Sequence, residues 1–391
     1  MPSNFVTLLV GFLVVLAPVN SAIVPGRVFD RFISIWLENQ DFSQVILNPD
    51  FADLKRHGIL QTRYYANTHP SQPNYLAAVA GDYFGLNHDE SVRVPDNVST
   101  VVDLVDTRGI SWAGYFERMP GPGYLADFSL DANGTWDYVK KHNHFASFDS
   151  INKNGTRLAR LRSFEAFERD LAAGTVPQFV MMSPDMRNDG HNTTLEYATK
   201  WAREFLLPLL QTNQNKRKDE NDKGNKLWKE RTVIQLTYDE ADTYDHPNRI
   251  VSLLLGPGIP RSLAGTEDGT FYTHYSILAT VQHNWDLPTL GRYDAGANVF
   301  QFAADATGHN TNRDPPNLTT VNNSQSYAGL LHNKTTRPVP PPNLKLVGAG
   351  GKGVLPKVAS TWNTTVQDES PYDESGNVYD GKIIPVYKPQ E

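Results

Sequence analysis

The chain has 391 residues, a hydrophobic fraction of 39%, 11% aromatics, no cysteine and a formal net charge of −7. That length and apolar content supply a core without covalent staples, and the missing cysteine excludes disulfides, thiol catalysis and a Cys-ligated metal. An acidic balance with no dominant basic block excludes nucleic acid as a partner.

In chain order, residues 5–19 are an apolar run too short and too N-terminal to span a bilayer. The small residues Ser21 and Ala22 behind it read as a cleavage site, so residues 1–22 are expected to be a signal peptide. Sequons at Asn97, Asn133, Asn154, Asn192, Asn317, Asn322, Asn333 and Asn363 fit a secreted, N-glycosylated protein, extracellular or in a cell wall. The last residues, Val386-Tyr387-Lys388-Pro389-Gln390-Glu391, carry no apolar tail, so no lipid anchor and no stable membrane association are expected.

Phe32-Ile33-Ser34-Ile35-Trp36-Leu37 reads as a buried strand of a parallel sheet and runs straight into Glu38-Asn39. A short helix over 50–56, ended by Gly58, and a strand over 59–65 follow. Ser71 then stands at the start of a helix carrying Leu76-Ala77-Ala78-Val79-Ala80, where backbone N–H groups favour an anion. A helix over 101–107 stops at Gly109 and a strand covers 110–116. His142 and His144 fall in a stretch that reads as loop, where a single histidine is more often a surface residue. A helix over 164–171 with Gly174 as its stop leads to a strand over 177–182, and Arg187-Asn188-Asp189-Gly190-His191 lies beyond that strand's carboxyl end. Apolar recurrence predicts an amphipathic helix over 195–210, and the mixed charges of 216–220 predict a solvated loop. Val233-Ile234-Gln235-Leu236-Thr237-Tyr238 is a second buried strand, ending in Asp239-Glu240 and followed by Asp242, Asp245 and His246 as loop residues or partners of that acidic pair. A strand over 250–255, closed by Gly256-Pro257-Gly258, and a last helix over 275–284 complete an alternation that indicates a doubly wound α/β sheet. Near residue 305 the composition turns to Asn, Thr, Pro and Gly, an extension expected to wrap over the domain or to stay partly disordered.

Ligands of open α/β sheets bind at the carboxyl ends of the strands. An acidic residue there is commonly a cap or turn former. Glu38-Asn39 and Asp239-Glu240, however, both follow apolar runs directly, and a hard cation is the usual reason for distant segments to converge carboxylates. With Ser71 at a helix start, the three segments suggest phosphoryl-transfer chemistry.

Leu37-Glu38-Asn39-Gln40-Asp41-Phe42, the block from Tyr64 through Thr68-His69-Pro70-Ser71-Gln72-Pro73-Asn74-Tyr75, Asn188-Asp189-Gly190-His191 and Thr237-Tyr238-Asp239-Glu240 resemble the phosphoesterase family. That family holds secreted fungal acid phosphatases and bacterial phosphatidylcholine-type phospholipases C. The resemblance covers roughly residues 28–300 and implies an alkaline-phosphatase-like α/β fold, a central, mostly parallel sheet flanked by helices. Residues 23–305 would be the catalytic domain and 306–391 an irregular C-terminal extension. It further implies one divalent metal ion on Glu38, Asn39, Ser71, Asp239 and Glu240, with Ser71 also the nucleophile. His142 and His191 would be the catalytic histidines, where two-metal relatives place a second ion. His144 departs from the pattern, since many relatives carry Pro there, and His69 would support the ligands.

Coordination to a dication favours the alkoxide of an otherwise weak serine nucleophile. Oxygen ligands suit Mg²⁺, Ca²⁺, Mn²⁺, Zn²⁺ or iron. Three carboxylates repel phosphate, so protonated His142 and His191 are expected to add positive charge and a proton for the leaving alcohol, giving an acidic optimum. The expected function is a secreted acid phosphatase acting on small phosphate monoesters through a phosphoserine. A phospholipase C-type diesterase is the nearest rival, and the absence of a basic amphipathic helix favours the monoesterase. A non-catalytic secreted binding glycoprotein would be expected to have lost Ser71 or one of the acids.

Overall fold

The structure, a computed structural model, describes residues 22–210, 231–244, 247–314, 327–364 and 370–373. The signal-peptide reading of residues 1–21, the 216–220 loop, Asp245, His246 and the sequons at Asn317 and Asn322 lie outside the described residues. The strands are β1 (Arg31–Leu37), β2 (Ile59–Tyr65), β3 (Trp112–Phe116), β4 (Phe128–Leu130), β5 (Trp136–Val139), β6 (Leu161–Arg162), β7 (Phe179–Ser183), β8 (Thr232–Tyr238), β9 (Arg249–Leu255) and β10 (Thr266–Thr273). The helices are α1 (Phe42–Val45), α2 (Pro49–Lys55), α3 (Ser71–Ala80), α4 (Val101–Asp106), α5 (Asp149–Asn152), α6 (Gly155–Leu158), α7 (Phe164–Ala173), α8 (Leu195–Leu210), α9 (Tyr275–Trp285), α10 (Gln301–Thr307) and α11 (Pro356–Trp362).

Local chemistry accounts for the helix ends. Asn48 caps α2 by accepting from the N–H groups of Asp50 and Phe51, ahead of a proline at the helix start. Thr100 and Asp103 form a capping box on α4. Gly174 ends α7 at φ 65°, where a side chain would be strained. Helices α3 and α9 are buried at every residue.

Eight strands form one sheet in the order β10-β2-β9-β8-β1-β7-β3-β6. Strand β9 runs antiparallel to β2 and β8, and the other neighbours are parallel. Strands β1 and β8 are buried along their whole lengths, as sandwiched strands must be. Each large apolar side chain taken out of water there stabilises the fold by about 1.5–3 kcal/mol. Their register pairs Leu37 with Tyr238, so Glu38 and Asp239-Glu240 leave the sheet side by side. On the other flank of β1, Ile35 pairs with Met182 of β7, which brings the chain beyond Ser183 to the same edge.

The expected α/β architecture, a mostly parallel sheet flanked by helices, is what the structure shows. Several features differ from the sequence reading, which also places neither β6 nor the short helices α1, α5 and α6. Strand β10 begins with the polar Thr266-Glu267-Asp268-Gly269 and its register with β2 shifts between Asp268 and Phe271, which hides its period. The hairpin β4–β5 is too short to display one. The helix over 275–284 is not the last, because α10 and α11 follow. The described part of the extension packs onto the domain, burying Tyr327, Leu346, Leu355, Val358, Trp362 and Tyr372. The Tyr327 and Tyr372 hydroxyls both donate to buried Asp82, just beyond α3. Among the described residues no helix is long and apolar enough to cross a membrane. Asn97, Asn133, Asn154, Asn192, Asn333 and Asn363 are all exposed.

Candidate active site

Ser71 is presented by a loop that side-chain amides hold in place. Asn74, in the first turn of α3, accepts from the N–H groups of Asn67 (2.9 Å) and Thr68 (3.2 Å). Its amide nitrogen donates to the carbonyls of Thr68 (2.8 Å) and Pro70 (3.3 Å). Asn248 donates to the Thr68 carbonyl (2.9 Å) and accepts from the Ala241 N–H (2.7 Å), tying this loop to the turn after β8. Ser71 is the first residue of α3 and is buried. Its Oγ lies 3.1 Å from Glu38 Oε2, 3.1 Å from Glu240 Oε1 and 3.4 Å from Asn39 Oδ1.

The acidic segments meet it from two neighbouring strands. The Glu38 N–H donates to the Asp189 carbonyl at 3.0 Å. Asn39 turns the chain at φ 31°, in the left-handed region that asparagine tolerates. Its N–H donates to Asp239 Oδ1 at 3.1 Å, as does that of Glu240 at 2.7 Å. Glu38, Asn39, Ser71, Asp239 and Glu240 therefore come together. Burial, with repulsion from Asp239 added, raises the carboxyls of Glu38 and Glu240 well above their usual range. Burial pushes Asp239 up to about 6. Asp239 Oδ2 has no hydrogen-bond partner among the described residues, and Glu240 Oε2 faces the His69 ring at 2.7 Å. Three buried acids, one of them with an orphaned oxygen, fit a bound cation, which would offset their desolvation and mutual repulsion.

His142 occupies the far side of Glu38. It is buried at the end of a 3₁₀ turn, Lys140–His142, rather than on a surface loop as the sequence reading expects of an isolated histidine. Its Nε2 lies 3.3 Å from Glu38 Oε1 and its Nδ1 3.3 Å from Asp189 Oδ2. Glu38, His142 and Asp189 each offer an atom within 4.8 Å of the others, a group that could hold a metal ion. The Tyr75 hydroxyl donates to the same Glu38 Oε1, and the Tyr75 ring stacks on His142 at 5.4 Å. His191 stands at the exposed rim, 5.8 Å from His142 between ring centres, with its N–H on Asp189 Oδ1 at 2.8 Å.

The two other described histidines that the sequence reading considers for the site separate clearly. His69 Nδ1 is 2.7 Å from Glu240 Oε2, and its ring stacks on Tyr244 at 4.0 Å. Burial brings His69 down to about 4. His144 lies edge-on to Trp36 and Tyr75, each 4.7 Å away, and no ring nitrogen of it finds a hydrogen bond among the described residues. It is part of the aromatic packing beneath the site.

Electrostatics differ from expectation in one respect. Burial lowers His142 well below the usual imidazole range and also lowers His191, with Lys141 contributing to both. Burial thus opposes the standing positive charge that the sequence reading assigns to these rings, more strongly at His142 than at His191. That charge belongs to the largely buried Lys141, which is 2.8 Å from Asp89 and lowers the carboxyls of Glu38, Asp189 and Glu240. Sequence reasoning gives Lys141, Tyr75, Asn74 and Asn248 no role. Lys141 carried one usable signal, its place beside His142; Asn248 carried none.

The pattern of the Phosphoesterase family matches residues 43–288. The probable acid phosphatase of Kluyveromyces lactis is 43% identical over 340 residues, covering 87% of this chain and 77% of that protein. An acid phosphatase of Aspergillus fumigatus is 40% identical over 383 residues, covering 95% of this chain and 81% of its own. Among solved structures, a putative sulfatase from Bacteroides thetaiotaomicron aligns distantly, with a TM-score of 0.46, 12% identity and coverage of 73% of this chain and 76% of that one.

Proposed function

The chain belongs to the phosphoesterase family, and from that premise we propose that it is an acid phosphatase hydrolysing small phosphate monoesters through Ser71. The observation that carries this reading is the Ser71 hydroxyl at the start of α3, 3.1 Å from both Glu38 Oε2 and Glu240 Oε1. Glu38, Asn39, Ser71, Asp239 and Glu240 would hold one divalent cation, whose chemistry is to favour the serine alkoxide and polarise a phosphoryl oxygen.

The chain's own groups do the rest. Glu38 Oε2 and Glu240 Oε1, each 3.1 Å from Ser71 Oγ, are placed to take the hydroxyl's proton. Ser71 Oγ attacks phosphorus in line, the ester P–O bond breaks and a phosphoserine forms. His191, at the solvent rim, gives a proton to the departing alcohol. His142 fixes Glu38 Oε1 from one side and Tyr75 from the other. Lys141 supplies fixed positive charge next to the dianion. Water then attacks the phosphoserine, releasing phosphate and restoring Ser71. Secretion and N-glycosylation belong to the same reading, supported by the six described sequons being exposed. So does a catalytic domain over 23–305 overlaid by the 306–391 extension.

The test is turnover of p-nitrophenyl phosphate against a choline phosphodiester, with and without chelator. The monoester should be hydrolysed, the diester poorly, and chelation should abolish both. Ser71→Ala should stay folded and lose at least about 10³-fold in kcat. Preference for the diester, indifference to chelation, or labelled phosphate trapped on a residue other than Ser71 would each overturn its part of the reading.

A further inference from the structure

The hairpin β4–β5 leaves an unusual surface. Phe128, Leu130 and Trp136 are 43%, 52% and 48% exposed. Single exposed apolar side chains are ordinary, whereas three together on one small ribbon mark a binding surface. Leu130 pairs with Trp136 across the ladder. The rings of Phe128 and Trp136 stack, with centroids 5.3 Å apart and planes at 24°.

Both rings line a cavity of about 370 Å³ that reaches Gln72, the residue following Ser71, and Lys141 beside the carboxylates. Gln72 is fixed by its N–H on Asp89 Oδ1 at 3.0 Å and its side-chain amide nitrogen on Ser147 Oγ at 3.3 Å. Its buried Oε1 has no hydrogen-bond partner among the described residues, which leaves its acceptor capacity unused. The cavity's charges are Asp89, Glu90 and Asp127 against Lys140 and Lys141. Both ammonium groups are already paired, Lys140 with Asp127 at 2.5 Å and Lys141 with Asp89 at 2.8 Å. The lining is thus slightly acidic overall. It repels a polyanionic leaving group and accepts an uncharged one.

We propose that this cavity is the leaving-group subsite, and that Trp136 and Phe128 make the enzyme select monoesters of uncharged planar alcohols, such as aryl and nucleoside monophosphates. The proposal rests on phosphate-ester hydrolysis at Ser71 and adds the class of ester. The planar group stacks on the Trp136 face while its phosphate sits over Ser71, and Gln72 Oε1 accepts from a polar hydrogen on the ring or sugar.

The test compares kcat/KM for 2-naphthyl phosphate, a nucleoside 5′-monophosphate, glycerol 2-phosphate and inositol hexakisphosphate in wild type, Trp136→Ala and Trp136→Phe. Trp136→Ala should lose about tenfold on the planar esters, mainly through KM. Glycerol 2-phosphate should change by less than about twofold, and Trp136→Phe should recover most of the loss. The naphthyl and nucleoside arms tell a bare aryl preference from one that needs the sugar. Equal losses on all esters, no loss on planar ones, or preference for the hexakisphosphate would overturn the subsite. Glycerol 2-phosphate turnover reports the chemistry at Ser71 separately, so a failed platform and a failed hydrolase are distinguishable. Calorimetric binding of 2-naphthyl phosphonate to Ser71→Ala protein, with and without Trp136→Ala, reads the subsite even without turnover, and equal binding would sink it.

Discussion

The two oxygens of Glu38 face different partners. Oε2 meets Ser71, while Oε1 meets His142 and the Tyr75 hydroxyl. One carboxylate therefore links the nucleophile to the histidine side of the site, and its protonation matters to both. Burial raises Glu38 and Glu240 well above their usual range and Asp239 to about 6. Without a cation, the folded site thus holds protons at pH values where free carboxyls have lost them. A dication must displace those protons, so its affinity should fall as pH drops through about 6, and binding at that pH should release protons to buffer. Calorimetry in two buffers of different ionisation enthalpy reads the release directly. Asp239→Asn should bind the ion more weakly and release fewer protons, and affinity unchanged between neutral and acid pH would refute the linkage.

At the scale of elements, catalytic geometry comes from where strands end. Strands β1 and β8 are parallel neighbours, so Glu38 and Asp239-Glu240 converge without any special loop. Ser71 is different, because it reaches the site through residues 66–70, whose shape depends on Asn74 and Asn248. Asn74→Ala would leave the buried N–H of Asn67 without its acceptor and remove the side chain that holds Thr68 and Pro70, costing about 1–3 kcal/mol. Misplacing Ser71 by about 1 Å should also reduce kcat/KM by about 10²-fold. Thermal melts, and kinetics well below the melting temperature, separate these effects. A destabilised variant with wild-type kcat/KM would show that Asn74 supports the fold and not the position of Ser71.

Across the whole molecule, the extension is locked to the domain through Asp82. Burial raises its carboxyl above the ordinary 3.8, while the Tyr327 and Tyr372 hydroxyls oppose that shift. A raised folded value means that the folded state binds this proton more tightly than the unfolded chain. Its contribution is most favourable below about 3.8 and declines as pH rises through the folded value. Removing both donors with Tyr327→Phe and Tyr372→Phe raises the folded value further. The deficit in stability should therefore be about 3 kcal/mol or more at pH 7 and shrink toward pH 4. Denaturant titrations at the two pH values check the sign, and a deficit that grows toward pH 4 would contradict it.

Residues 32–37 and 233–238 announce their strands through local apolar runs, and Glu38-Asn39 and Asp239-Glu240 are legible as strand-end groups because strand identity depends on neighbours in sequence. Ser71 at a helix start is legible for the same reason. Burial and charge state are not local properties. His142 loses its proton affinity because β1, α3 and the segment around Asp189 exclude water from it. Asn248 acts on Thr68 from 180 residues away. The stacked pair Phe128 and Trp136 depends on a hairpin of three- and four-residue strands, too short to leave a period in the chain. The sequence by itself determined which groups stand at the strand ends. Tertiary packing alone decided which of them water can reach, because desolvation and pairing are set by segments that only the fold brings together.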